Sequence, residues 1–189
     1  MKEFLNEVAA CSFCTGKLPL GIRPLVQYGA SSKVVIIGQA PGRLAHESGI
    51  PWNDASGRTL RKWLDVDNET FYNPSLFSIF GMGLCYPGKG KSGDLPPIPQ
   101  CAGLWHQPLL DGLKSDPVIL LIGQYAQRYY LKEAFKGNLT STVQSYQQFA
   151  PKFFPLPHPS PRNQHWLKIN PWFLTDTVPY LRTLIRDIL

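Results

Sequence analysis

Four short apolar runs, KVVII (33–37), LFSIFGMGL (76–84), PVILLIG (117–123) and KFFPLPH (152–158), constrain the fold of this chain more than any other feature. Three of them are almost unbroken in apolar character, the pattern of strands covered on both faces; a sheet with one face in water alternates apolar and polar residues instead. Between the runs lie stretches with helical spacing: GRTLRKWLDV, which sets Leu60, Trp63 and Leu64 on one face, then CAGLWHQPLLDGL and QYAQRYYLKEAF. The tail, PWFLTDTVPYLRTLIRDIL, repeats the spacing through Leu181, Leu184, Ile185 and Ile188 and is expected to close the fold. Alternating strands and helices predict an α/β fold, a three-layer α/β/α sandwich with a central four-stranded parallel sheet. At 189 residues and 43% hydrophobic content the chain can bury one core, and no linker or repeat divides it, so residues 1–189 are read as a single domain.

In open parallel sheets ligand chemistry gathers beyond the carboxyl ends of the strands. Two Pro- and Gly-rich stretches, 38–57 and 157–163, follow predicted strands directly and are expected to meet at one edge of the sheet. The first, GQAPGRLAHESGIPWND, lacks both the Lys-Ser/Thr ending of a P-loop and the G-x-G-x-x-G spacing of a dinucleotide site. It presents Gln39 on a rigid turn and, further on, the aromatic-amide pair Trp52-Asn53 followed by Asp54. An aromatic face beside amide groups is how an extruded base is held, although Trp52 as ordinary core is the plainer reading. The second, LPHPSPRNQHW, places His158 at a strand end with its direction fixed by Pro157 and Pro159. Ser160, Arg162 and Asn163 follow at an exposed tip, where Arg contacts phosphate or wedges into a base stack. His46, Glu47 and Asp54 are reserve candidates as polar groups of the first loop. A third stretch, CYPGKGKSGDLPPIPQC (85–101), is so dense in proline and glycine that no regular structure is expected in it.

Nineteen Lys and Arg against thirteen Asp and Glu give a net charge of +6, with a pI near 9.2, a mean field that favours a polyanion such as nucleic acid. No apolar stretch approaches the roughly 18 residues a membrane span needs, and the N-terminal residues lack a signal-peptide profile. A cytoplasmic monomer with no membrane partner is expected. In a reducing compartment four cysteines point to metal chemistry before disulfides. Cys11 and Cys14 form a C-x2-C pair, while fifteen residues separate Cys85 from Cys101. Four thiolates suit tetrahedral zinc or a cubane iron-sulfur cluster, and the spacing does not choose between them. Either would staple the N-terminal residues to the middle of the chain and hold the 85–101 loop, with Lys89 and Lys91, against DNA.

Taken together these residues resemble the uracil-DNA glycosylase superfamily, and most closely its iron-sulfur branch. Gly38-Gln39-Ala40-Pro41-Gly42, followed at the family's spacing by Pro51-Trp52 and with Gly57 in register, is similar to the first motif, which in that branch reads GEAPG. HPSPRN at 158–163 is similar to the last motif of the single-strand-selective glycosylases. LLIGQYA (120–126) resembles a strand-to-helix turn of the superfamily, and the layout of Cys11, Cys14, Cys85 and Cys101 resembles that of the branch's cluster cysteines. The resemblance spans residues 11 to 166 and implies a monofunctional hydrolase that flips out uracil or a related deaminated or damaged base and cleaves its N-glycosidic bond in base excision repair. It also implies a 4Fe-4S cluster in preference to zinc.

On that footing Gln39 and His158 are the catalytic candidates, the first to hold a water and the second to stabilise charge on the leaving base. Ala40, Trp52, Asn53, Asp54 and Gly81 are the base-binding candidates, and Ser160, Arg162, Asn163, Lys89 and Lys91 contact DNA. Two departures from the family's pattern stand out: the first motif offers Gln39 and Ala40 where an acid or Asn is usual, and Gly81 stands where an Asn reads the uracil edge. The departures keep a second class open, a protein of the same fold that binds damaged or single-stranded DNA without cutting it.

Overall fold

The computed structural model describes residues 2–114 and 116–189. Its centre is a parallel sheet of four strands, β1 (Val34–Gly38), β2 (Phe77–Gly81), β5 (Val118–Ile122) and β6 (Phe153–Leu156), in the order β2-β1-β5-β6. A two-stranded hairpin, β3 (Lys89–Gly90) and β4 (Gly93–Asp94), stands apart from it. The register aligns Val34 with Phe77 on one side and with Val118 on the other, and Ile119 with Phe153 at the far edge. The four apolar runs therefore become the four strands, each within a few residues of its expected bounds. The run at 76–84 stops pairing at Gly81 and hands its last N–H groups to the loop beyond β1: Met82 N–H reaches Gly38 O and Gly83 N–H reaches Gln39 O.

Successive side chains on each strand point to opposite faces, which splits the interior into two cores. Val34, Ile36, Ile79, Leu120 and Phe154 pack on one face with helices α3 (Ala55–Leu64) and α9 (Val178–Ile188), through Leu60, Leu64, Leu181 and Ile185. Val35, Ile37, Phe80, Ile119 and Leu121 pack on the other with α1 (Lys2–Ala9), α5 (Pro99–Asp111) and α6 (Gln124–Leu131). Both faces are covered, which is why the runs carry so few polar residues. The architecture is the expected three-layer α/β/α sandwich.

Shorter helices, α2 (Arg43–Ser48), α4 (Asn68–Phe71), α7 (Leu139–Gln144) and α8 (Gln164–Ile169), fill the connections. Helix starts follow side-chain chemistry: Asp54, Asp67 and Asn138 cap α3, α4 and α7 by accepting backbone N–H bonds, each cap contributing about 1 kcal/mol. The tail opens with a π-helical turn, Phe173–Thr177, before α9; Pro179 in the next turn has no N–H to give, which favours the wider winding ahead of it.

The segment between Cys85 and Cys101 corrects the expectation of no regular structure. Lys89 pairs with Asp94 and Gly90 with Gly93 in an antiparallel hairpin, and Pro99 starts α5. Gly93, at φ +152°, supplies a backbone conformation that other residues avoid, and Leu95 N–H closes back on Gly88 O. Among the described residues no helix is long and apolar enough to cross a membrane.

Candidate active site

The loops after β1 and β6 converge, as their position after the strands predicts, on a cleft of about 460 Å3 at the carboxyl end of the sheet. Gln39, Ala40, Trp52, Asp54, Gly81, His158, Ser160, Arg162 and Asn163 all line it. The feature that joins the two loops is a ring pair: the imidazole of His158 lies on the indole of Trp52, centroids 5.5 Å apart and planes inclined by 30°.

Trp52 reaches that position through a left-handed backbone, φ +57°. The chain around it is bonded from outside: Tyr72 Oη donates to Pro51 O at 3.1 Å, and Arg61 Nη1 donates to Tyr72 Oη at 3.3 Å. Two glycines leave room for it. A Cβ at Gly57 would stand 1.7 Å from the Trp52 carbonyl oxygen, and one at Gly38 would stand 2.9 Å from the indole. The tryptophan is thus partly a core residue, packed on the α3 and α9 side, and partly a shelf for His158.

His158 is held from its own loop by Asn163 Nδ2, which donates to His158 O at 2.7 Å. Removal from water pushes the imidazole pKa below its ordinary value, and the Asp54 carboxylate partly offsets this. The ring is therefore neutral at physiological pH and keeps one N–H donor. Asp54 spends Oδ1 on Gly57 N–H at 2.7 Å, capping α3.

Gln39 and Arg162 have partners that their sequence positions do not suggest. Gln39 Nε2 donates to Leu95 O at 2.9 Å, and Arg162 Nη1 donates to Ser92 O at 3.0 Å. Both side chains grip the hairpin, which leans over the cleft and adds Ser92, Gly93 and Asp94 to its lining. These three residues escaped the sequence reading. The only signal was the Gly-rich string around them, and hairpin docking depends on side chains more than fifty residues away.

Other candidates fall outside the cleft. Asn53 is exposed and not part of the lining, and Lys89 and Lys91 are exposed on the hairpin. His46 is buried in α2, and Glu47 pairs with Arg43 on the surface at 2.6 Å.

Gly81 forms part of the floor, and its lack of a side chain is enforced. A Cβ there would stand 2.9 Å from Ala40 Cα and 2.7 Å from Gly83 O. Beneath it, buried His106 on α5 contacts Gly81 O through Nε2 at 2.9 Å and Tyr130 Oη through Nδ1 at 2.6 Å. The carbonyl can only accept, so Nε2 carries the proton and the tyrosine donates to Nδ1. Burial pushes the His106 pKa down to about 4.

All four cysteines are free thiols, and all four line one small apolar pocket of about 20 Å3 beside Phe13, Leu18, Leu84 and Trp105. Burial, with the neighbouring sulfurs adding to it, pushes Cys85 up to about 11. Leu84 N–H donates to Cys101 Sγ at 3.3 Å. Among the described residues no group of three or more His, Cys, Asp or Glu side chains is arranged to hold a metal ion.

A family model described as the Uracil DNA glycosylase superfamily matches residues 26–182. The matched span takes in both cleft loops and the hairpin; it begins after Cys11 and Cys14.

Proposed function

This chain belongs to the uracil DNA glycosylase superfamily, and from that premise we propose that it excises uracil or a related deaminated or damaged base from DNA as a monofunctional N-glycosylase. The family's chemistry is hydrolysis of the bond between a base and its sugar in DNA, a repair reaction. The observation that carries the reading for this chain is the Trp52–His158 ring pair on the wall of a cleft shared by both loops.

In this reading the nucleotide leaves the stack and enters the cleft, at a cost of a few kcal/mol. The glycosidic bond then breaks with its electron pair on the base. A neutral His158 N–H stabilises that charge as a preorganised donor, its ring angle held by Trp52 and its loop by Asn163. Gly81 has no room for an amide side chain, so the base edge meets the backbone around Ala40 and Gly81 and the remaining oxygen of Asp54. Asn53 lies outside the cleft lining. Ser160, Arg162 and Asn163 form the rim that meets the phosphodiester, and Lys89 and Lys91 add charge beside it. The protein works as a cytoplasmic monomer, and the net charge of +6 suits a DNA partner.

The cysteine pocket supports an iron-sulfur reading. Four cysteines line one apolar cavity with no His, Asp or Glu beside them, a ligand set suited to iron-sulfur or zinc and to neither magnesium nor calcium. Cys11, Cys14, Cys85 and Cys101 would hold a 4Fe-4S cluster, which supplies a covalent staple between the N-terminal segment and the hairpin and no step of the hydrolysis. Iron and sulfide in equal amounts, with broad visible absorption lost in Cys85→Ser, support this assignment; zinc without iron or sulfide refutes it.

The decisive experiment incubates the protein with oligonucleotides carrying uracil, hypoxanthine, xanthine or an oxidised pyrimidine, then treats them with alkali. Strand breaks at the modified base that disappear in His158→Ala are the expected result. The second reading, binding without cutting, is favoured by one observation: the Gln39 amide is engaged with Leu95 O. Tight binding of the same oligonucleotides with no break on any of them would establish it.

A further inference from the structure

Breaking a glycosidic bond leaves positive charge on the sugar, and a carboxylate beside it lowers the barrier. Gln39 brings no charge, and its amide is engaged with the hairpin. The cleft lining holds two carboxylates, Asp54 and Asp94. Asp54 has one oxygen committed to the start of α3. The carboxylate of Asp94 makes no hydrogen bond or ion pair within bonding distance among the described residues.

Three constraints set where Asp94 stands. It pairs with Lys89 across the hairpin; Gln39 bonds the carbonyl of the next residue, Leu95; and Arg162 bonds the carbonyl of Ser92 on the other side. The carboxylates of Asp94 and Asp54 flank Gly42: a Cβ built there would stand 3.6 Å from Asp94 Oδ2 and 4.0 Å from Asp54 Oδ2. Withdrawal from water and the charge of Asp54 raise the Asp94 pKa above the usual carboxylate range, while Arg162 and Lys89 pull it back.

We propose that Asp94 is the catalytic carboxylate of this cleft, and that Gln39 and Arg162 are positioning residues that hold its hairpin over the sugar. The assignment rests on the glycosylase reading. The C1′–N bond breaks with its electron pair on the base, facing His158. Water bonds to C1′ and gives its proton to Asp94, which releases it to solvent, and the base anion takes one proton from solvent. The net change is the addition of one water across the bond.

The test uses the full chain as purified and two readouts. In single-turnover excision from the oligonucleotides above, Asp94→Asn is expected to be slower by about 100-fold or more with DNA affinity unchanged within about threefold, and Asp94→Glu to recover part of the loss. Gln39→Leu is expected to slow excision and to add nothing further to Asp94→Asn, since both act through one carboxylate. The second readout needs no turnover: affinity for a duplex carrying a cationic azaribose against one carrying a neutral tetrahydrofuran abasic site. Wild type is expected to prefer the cation by about tenfold, and Asp94→Asn to erase that preference. An active wild type with Asp94→Asn within about threefold of it, or an unchanged preference for the cation, overturns the role of Asp94 and leaves the glycosylase standing. A wild type that cuts no modified base overturns the glycosylase reading instead, and the charge preference still decides whether Asp94 faces the sugar.

Discussion

The cleft and the cysteine pocket share one stretch of chain and are finished in different ways. The cleft is completed by protein: a ring stacked on a ring, Gln39 and Arg162 bonded to the hairpin, and Asn163 bonded across its own loop. In the thiol pocket backbone N–H groups meet sulfur, Leu84 at Cys101 and Arg23 at Cys85, within a lining of apolar side chains. Segment 85–101 contributes its end residues to the pocket and its hairpin to the cleft. The difference teaches that the reactive geometry and its anchorage are separable. One depends on hydrogen bonds and stacking, the other on apolar packing around four cysteines.

The largest expected effect tests the cleft side alone. His158→Ala should slow excision by about 10²- to 10³-fold, roughly 3–4 kcal/mol, the usual loss for a donor that faces developing negative charge. Circular dichroism and the protection of the four cysteines from thiol reagents should be unchanged. A loss of either would mean that the two regions are not separable.

Next comes His106, which links them: its helix begins at the cysteine segment and its Nε2 holds the floor at Gly81. Its folded pKa, about 4, lies below the ordinary histidine value of 6.5. The stabilisation it contributes is therefore complete above pH 6.5 and is lost as pH falls toward 4. Linkage puts the loss on the order of 3 kcal/mol. Urea unfolding at pH 7 and pH 4.5 should show it, and His106→Phe should flatten the slope.

A smaller effect is expected at Gly81→Asn. Restoring the family's usual residue forces a Cβ against Ala40 and Gly83, a clash of about 1–3 kcal/mol by the scale of overpacked interiors. Thermal unfolding should register the loss, with no gain in uracil excision. The smallest effect belongs to Lys89→Ala and Lys91→Ala. Each should weaken DNA binding alike for every sequence and lower the salt slope by about 1, with excision from bound DNA unaltered.

The sheet was legible because strands buried on both faces carry unbroken apolar runs, and the runs at 33–37 and 117–123 contain nothing else to read. The meeting of Trp52 with His158 was legible for a topological reason, since loops after parallel strands share one end of the sheet. Asp94 was not legible. Its place depends on Gln39 and Arg162 docking a hairpin from opposite ends of the sequence, and pattern within a short window carries no such information. The same distance effect hid the partners of Gln39, and sequence position alone did not reveal that Asn53 stands outside the cleft lining while its neighbour Asp54 is part of it.

The left-handed backbone at Trp52 is carried by the packing of its own side chain. An L-residue pays about 1–2 kcal/mol there and glycine nearly nothing. Trp52→Gly would relieve that strain, yet it deletes an indole packed on the core, a loss of about 3–5 kcal/mol for a truncated Trp, so the variant should be less stable and leave His158 without a floor to lie on.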